Sequence, residues 1–333
     1  MSIPPTTSSV AIPVPLTGWP RIRTAVTRWV RGHAAMVALL AVLLVLVIVT
    51  ASQSDVFLTV GNLRNILLQI SVLAIVASGM TMLMISGGID LSVGSLMSLA
   101  AVTIALLGAA GVPLPLAILA GFGIGVAVGA GNGLLAAWGK AHPSIVTLGV
   151  SILLQGVALS VSGGVPISTI DPALISFGAS NVLGIPGPVL VAAAVLLLTG
   201  LVLRYTVFGR TLYALGGSEP ATRLAGIPVR RMKVLLYAIN GVVVTIAAIV
   251  LMSRIASAQP LMGTGYELQA IAAVAVGGTP LAGGRGSIVG TLLGVVLLGV
   301  ISNSLNLLGV SGSFQYVLQG AVIVVAVMSQ RRL

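Results

Sequence analysis

Between residues 91 and 139 this chain carries no charged side chain, and further charge-free runs cover 34–54, 65–89, 141–170, 172–203, 234–253, 268–284 and 286–330. A soluble domain carries about a quarter charged residues. Here the charged share is 6% and the hydrophobic share 57%, too little charge to solvate a surface of this size. A helix needs roughly 20 apolar residues to cross the hydrocarbon of a bilayer, so the longer runs hold two crossings each. Pore-forming barrels alternate apolar and polar residues over about ten positions, a pattern absent here. The fold class read from the sequence is therefore all-α, a polytopic transmembrane helical bundle.

Ten candidate spans follow: 34–51, 66–86, 91–110, 114–137, 144–162, 188–206, 234–253, 266–277, 287–303 and 314–330. The domain reading has a disordered cytoplasmic tail with a basic pre-membrane segment at 1–33, a transmembrane domain at 34–330, and a short cytoplasmic tail at 331–333. The tail's first 20 residues are rich in Pro, Ser and Thr with no apolar core, unlike a cleaved signal peptide. The eighth span is too short to cross: 266–277 extends about 18 Å at roughly 1.5 Å per residue, against a core of about 30 Å. Gly277, Gly278 and Pro280 then interrupt it. A similar break, Gly87-Gly88-Ile89-Asp90-Leu91, follows the second span. The shared Gly-Gly-x-x-Leu hints at internal duplication, and Gly/Pro-interrupted segments in corresponding halves mark transporters. In the fourth span Gly121, Gly125, Gly129 and Gly133 recur every fourth residue. That spacing lets two helix backbones approach closely, as fixed packing or as a moving interface.

The net charge of +11 reads as membrane anchoring, with no nucleic-acid partner. Arg21, Arg23, Arg28 and Arg31 precede the first span, and Arg331 and Arg332 follow the last. Between Arg204 and Lys233 lie seven of the 21 charged residues, six of them basic. Basic loops face the cytoplasm, so 204–233 is a cytoplasmic loop and both termini are cytoplasmic. Only Arg64 and Arg254 fall on the outer side of this scheme. Inside the loop Ser218 is an N-cap candidate, Glu219 and Ala221 open a short helix, Arg223 lies near its end, and Gly226 stops it before Pro228. A capped helix in the one large polar loop points to a protein partner.

No catalytic constellation is present. His33 and His142 have no acid or nucleophile near them in sequence, and His142 with Pro143 reads as a helix start. There is no cysteine, and no Gly-x-x-x-x-Gly-Lys-[Ser/Thr] phosphate loop, so the chain itself hydrolyses no ATP. None of the five acids falls mid-span, which argues against a carrier coupled to ions through membrane carboxylates. Asp90 fits either capping of the third span or gating. Glu267 has capping-box spacing from Thr264, or it docks an outer partner. Neutral polar residues are the pathway candidates: Gln69, Asn132, Gln155, Asn240, Ser302, Asn303, Asn306, Gln315 and Gln319. Such groups suit sugar hydroxyls, and each also suits a helix–helix hydrogen bond.

The segments Asp55–Leu67 (DVFLTVGNLRNIL), Ser86–Ser95 (SGGIDLSVGS), Tyr213–Ile227 (YALGGSEPATRLAGI) and Ser257–Val310 resemble the membrane permease subunit of bacterial ABC sugar importers, ribose-type. The resemblance covers the chain from about residue 36 onward. It implies a type II importer permease of about ten spans in the bacterial cytoplasmic (inner) membrane, working by alternating access without altering its sugar. It implies a homodimer with a second permease copy, an ABC ATPase subunit that binds the ATP and Mg, and a periplasmic or lipid-anchored sugar-binding protein. No cofactor belongs to the permease itself. Ser218, Glu219, Ala221, Arg223 and Gly226 then correspond to the coupling helix seated on the ATPase. Pro220 replaces the family's common Ala, and Gly226 stands seven residues after Glu219 where the wider importer motif has six. Asp90, Ser92, Asn132, Ser302, Asn303 and Asn306 are the pathway or gating candidates, and Arg254, Tyr266 and Glu267 the candidates for docking the binding protein. The alternatives are a permease for nucleosides, an autoinducer or branched-chain amino acids, and a secondary sugar carrier.

Overall fold

A computed structural model describes residues 34–139, 142–168 and 170–311, with single positions between 314 and 324. The tails at 1–33 and 331–333, Lys140, Gln315 and Gln319 lie outside the described residues, as does most of the tenth span. The helices are α1 (Ala34–Gln53), α2 (Val60–Ile85), α3 (Val93–Ala109), α4 (Leu114–Trp138), α5 (Pro143–Ser162), α6 (Pro172–Ala179), α7 (Gly187–Tyr205), α8 (Val207–Gly217), α9 (Glu219–Leu224), α10 (Val229–Ile255), α11 (Tyr266–Val276) and α12 (Ile288–Leu307). A two-residue hairpin, β1 (Asn181–Val182) with β2 (Ile185–Pro186), is the one sheet among the described residues. Six helices there are long and apolar enough to cross a membrane: α2, α4, α5, α7, α10 and α12. Shorter apolar helices occupy 39–53, 93–109 and 266–276. Nine of the ten expected spans thus match helices.

The arrangement follows from which helices are apolar all round. From Ile70 to Ile85 every residue of α2 is buried. This central helix packs against α7, α10, α11 and α12, while α3 packs against α4, α5 and α10. The outer helices α4, α5 and α7 bury far less of themselves and expose Leu119, Ile152 and Leu197, each more than 60% accessible. Large apolar side chains left uncovered on long helices fit a lipid boundary.

The glycine stripe has a partner, helix α10. A Cβ on Gly125 would collide with the Gly241 carbonyl and the Thr245 hydroxyl, one on Gly129 with the Tyr237 carbonyl, and one on Gly133 with Val234. Gly123 and Gly131, on the other side of the helix, face open space. At these three glycines the two backbones touch, while Gly121 packs on the Ile104 side chain of α3.

Both expected breaks are present, and they meet. Gly87 and Gly278 adopt φ of +80° and +91°, conformations that glycine reaches without a Cβ penalty. The Gly284 N–H donates to the Ile85 carbonyl at 2.8 Å, and Gly283 lies against the Gly87 backbone. Gly216, near the end of α8, packs on the same two loops, where a Cβ would strike Ile85 O and Gly284 N. Tyr213 of α8 adds a hydrogen bond to Gly286 O at 3.0 Å.

Three elements are new relative to the sequence reading. The 163–187 stretch holds α6 and the hairpin, and the charged loop holds α8 before the expected short helix. Asp171 starts α6 by accepting from the Ala173 N–H at 2.8 Å, with Pro172 at the first helical position.

Candidate functional site

The short helix α9 is built as its residues dictate. Ser218 is its N-cap, with Oγ accepting from the Ala221 N–H at 3.3 Å. Glu219 stands in the first turn, where the helix dipole favours an anion. Gly226, at φ +81°, turns the chain out. Glu219 Oε1 accepts from Arg223 at 3.0 Å and Oε2 from Lys233 at 2.8 Å, tying α9 to the first turns of α10. The Lys233 hydrogen bond, helped by Arg223, holds the Glu219 carboxyl below its ordinary value despite partial burial. Thr222 is buried, whereas Leu224 is 90% exposed. A fully presented leucine at the tip of a charged loop is a ready contact for a partner.

Inside the bundle, Asp90 is fully buried. Its Oδ1 accepts from the Ser92 N–H at 2.9 Å, the Ser92 hydroxyl at 2.7 Å and Asn132 Nδ2 at 3.3 Å. Its Oδ2 accepts from Asn240 Nδ2 at 3.1 Å. Asn132 also donates to Ser92 Oγ at 2.8 Å. The expected position of Asp90 as helix cap is corrected: Ser92 is the N-cap of α3, and Asp90 precedes it by two residues as an Asx turn. Sequence position put Asp90 at a span end, but the break folds it inward between α4 and α10. Tyr237 Oη donates to Ile89 O at 3.0 Å and Thr147 Oγ1 accepts from the Leu91 N–H at 3.0 Å, so each turn of the break is tied to a neighbouring helix.

The remaining candidates separate. Asn303 forms a reciprocal amide pair with Asn62, at 3.0 and 2.8 Å. Gln155 donates to Pro260 O at 2.7 Å, and Asn306 is exposed near the end of α12. Ser302 and Gln69 face a cavity of about 160 Å³, which Ile70, Leu73, Tyr266, Gln269, Leu298 and Gly299 also line. Gln269, one helical turn from Tyr266, had no sequence signal beyond that spacing. Glu267 Oε1 accepts from the Gly265 N–H at 3.1 Å, the reach-back half of a capping box, but the N-cap is Gly265 and not Thr264. Its Oε2 is buried against Gly94 without a hydrogen-bond partner. Arg254 closes α10 in its last turn.

A family described as branched-chain amino acid transport system / permease component matches residues 62–327. The ribose import permease protein RbsC of Escherichia coli K12 is 43% identical over 304 residues, 90% of this chain and 94% of that protein. The RbsC of Bacillus subtilis 168 is 42% identical, covering 87% of this chain and 91% of its own. The L-arabinose transport system permease protein AraH of Escherichia coli K12 is 39% identical, covering 88% and 89%. The chain belongs to the ribose-type permeases of ABC sugar importers. Its relatives are named as permease subunits of transport systems, and the apolar helices make it a multi-pass membrane protein. No solved structure matches.

Proposed function

We propose that this permease carries a monosaccharide, ribose or a related pentose, inward across the bacterial cytoplasmic membrane. It works as a homodimer with a separate ATPase subunit beneath it and a sugar-binding protein outside. The observation that carries the reading is α9: a capped helix with an exposed Leu224, held by Glu219 to Lys233, on the loop that concentrates the chain's basic residues. That loop is cytoplasmic by the positive-inside rule, so an ATPase meets it there.

The path inward is short. Helix α9 follows α8 directly, and α8 rests through Gly216 and Tyr213 on both break loops. A pull on α9 reaches the start of α3 and the end of α11 without crossing more than one packed layer. Closure of paired ATPases would thereby tilt α3 and α11 and change which side of the bundle is open. Of the three docking candidates Arg254 remains the proposed outer contact for the binding protein, whereas Tyr266 lines the cavity and Glu267 turns its carboxylate onto Gly265 and Gly94. The chemistry on the sugar is nil; the protein's work is positional, and ATP and Mg belong to the partner subunit.

The test is transport by the complete importer in cells lacking their own pentose uptake. Glu219→Lys reverses the charge that Lys233 and Arg223 face, and deletion of 219–226 removes the helix. Both are expected to abolish radiolabelled D-ribose or L-arabinose uptake while the permease still reaches the membrane. Wild-type rates from either variant would sink the coupling assignment.

A further inference from the structure

Much of the polar interior of this protein is self-satisfied, with the Asn132 and Asn240 amide oxygens and Glu267 Oε2 as exceptions among the described residues. Asn62 pairs with Asn303, Thr50 with Ser304 at 2.9 Å, Thr81 with Thr291 at 2.7 Å, and Asp90 with Ser92, Asn132 and Asn240. In contrast, the side chains of Gln69, Gln269 and Ser302 make no hydrogen bond to another described residue, and all three line the same cavity. Those three residues come from three separate helices, α2, α11 and α12. All three are half-buried, and uncharged polar groups that converge from separate helices on one largely apolar-walled cavity are the usual make-up of a small-molecule site.

We infer that this cavity is a transit site for a neutral, polyhydroxylated solute of monosaccharide size, with Gln69, Gln269 and Ser302 taking over hydrogen bonds from the solute's water. The inference rests on the permease reading above and names where in the chain the cargo is held. Three features fix the ligand class. First, the volume of about 160 Å³ accommodates on the order of ten water-sized groups, enough for a single sugar ring. Second, every polar side chain of the lining is uncharged: two carboxamides, a phenol and an aliphatic hydroxyl. Each can donate and accept, as sugar hydroxyls require. A zwitterionic amino acid would lose the hydration of two charges with no counter-charge on the wall, at a cost of several kcal/mol per ion. Third, Ile70, Leu73 and Leu298 complete the wall with apolar surface, and the Tyr266 ring adds a flat face for the C–H side of a sugar. Gly299 keeps the space open, since a Cβ there would run into the Ile70 side chain. The groups are open rather than clamped, which suits a site that must release its cargo.

The chain contains no cysteine, so single-cysteine variants can be read without background. Ser302→Cys and Gln69→Cys are made in the full importer, co-expressed with its ATPase and binding protein, and labelled with a charged methanethiosulfonate reagent. Both cysteines are expected to label. Labelling is expected to slow about tenfold with D-ribose or L-arabinose at about ten times its dissociation constant, and not with L-leucine. Absence of labelling at both positions, no protection by either sugar, or equal protection by L-leucine would each overturn the site. Wild-type uptake is measured alongside. An importer that takes up neither sugar defeats the proposed substrate, whereas labelling without protection in an importer that does transport defeats only this site.

Discussion

Removing the carboxylate of Asp90 while keeping its backbone isolates what that side chain does. In Asp90→Ala the Ser92 N–H, the Ser92 hydroxyl and the Asn240 amide each lose the acceptor they now have, while Asn132 keeps Ser92 Oγ. An unsatisfied buried donor costs about 1–3 kcal/mol, and inter-helix hydrogen bonds in bilayers average about 0.6 kcal/mol because the unfolded chain also finds partners. Three orphaned donors therefore cost roughly 2 kcal/mol at the membrane-derived value and roughly 9 at the upper one. Asp90→Asn behaves differently. It keeps Oδ1 as the acceptor for Ser92 and Asn132 but puts an N–H donor where Oδ2 accepted from Asn240, whose own unpartnered Oδ1 can turn to accept it, so the loss is the charge-assisted share of the bonds, about 1 kcal/mol. The expected order of stability is wild type, then D90N, then D90A well below both. The assay heats detergent-purified permease and measures the monodisperse fraction remaining by size exclusion, with uptake measured in parallel. Equal thermal midpoints for D90A and D90N would refute the claim that acceptor capacity, and not the methylene packing, is what this residue contributes.

At the α4–α10 contact, Gly129→Ala drives a Cβ into the Tyr237 carbonyl and is expected to destabilise by about 1–3 kcal/mol. Gly131→Ala, two residues away and facing open space, gains up to about 1 kcal/mol of helix propensity, so equal thermal midpoints for the two would contradict the packing assignment. The Glu219–Lys233 pair is expected to persist through neutral pH. Because the folded carboxyl sits below its ordinary 4.5, its contribution is present above that value and fades as pH falls through the lowered one. Hydrogen exchange across 218–233 should accelerate only in that acid range in wild type and at neutral pH in Glu219→Gln; protection unaltered in the variant would discount the pair.

The spans were legible because bilayer thickness imposes a length, and no other constraint produces charge-free runs of this extent. The cap of α9 was legible for a related reason: Ser218, Glu219 and Gly226 each satisfy a local requirement of a helix end, needing no tertiary partner. Ser302, Asn303 and Asn306 show where such reading stops. Adjacent residues differ by about 100° around a helix, so Ser302 and Asn303 face different neighbours, and only knowledge of those neighbours says that one meets a cavity and the other Asn62. The partners of Asp90 were hidden for a comparable reason. A glycine-rich break has no periodicity, and nothing local shows that it folds inward toward amides 42 and 150 residues away. The hairpin at 181–186 was equally silent, since its Leu183 and Gly184, at φ 53° and 88°, form a turn with a leucine where glycine or asparagine is usual.

The two breaks explain why a transporter can be built with so few charges. A carrier driven by an ion gradient needs a titrating or ion-binding group beside the cargo, and such groups must be hydrated in turn. Here the one fully buried carboxylate among the described residues is spent on structure: its four hydrogen bonds hold the break of α3 to α4 and α10. The cavity proposed above to hold the cargo is lined by uncharged side chains, so on that proposal the cargo is held by hydrogen bonds and no charge on the wall couples it to an ion gradient. On the same proposal, energy enters through the backbone. The convergence of Ile85, Gly216 and Gly284 would supply that route, because close packing of two helix ends and a loop with no intervening side chains leaves little slack to absorb a displacement. Inserting a methyl at Gly216 would force α8 off both loops, and the expected signature is an importer that still hydrolyses ATP but no longer moves sugar. Wild-type coupling in Gly216→Ala would show that the displacement travels another way.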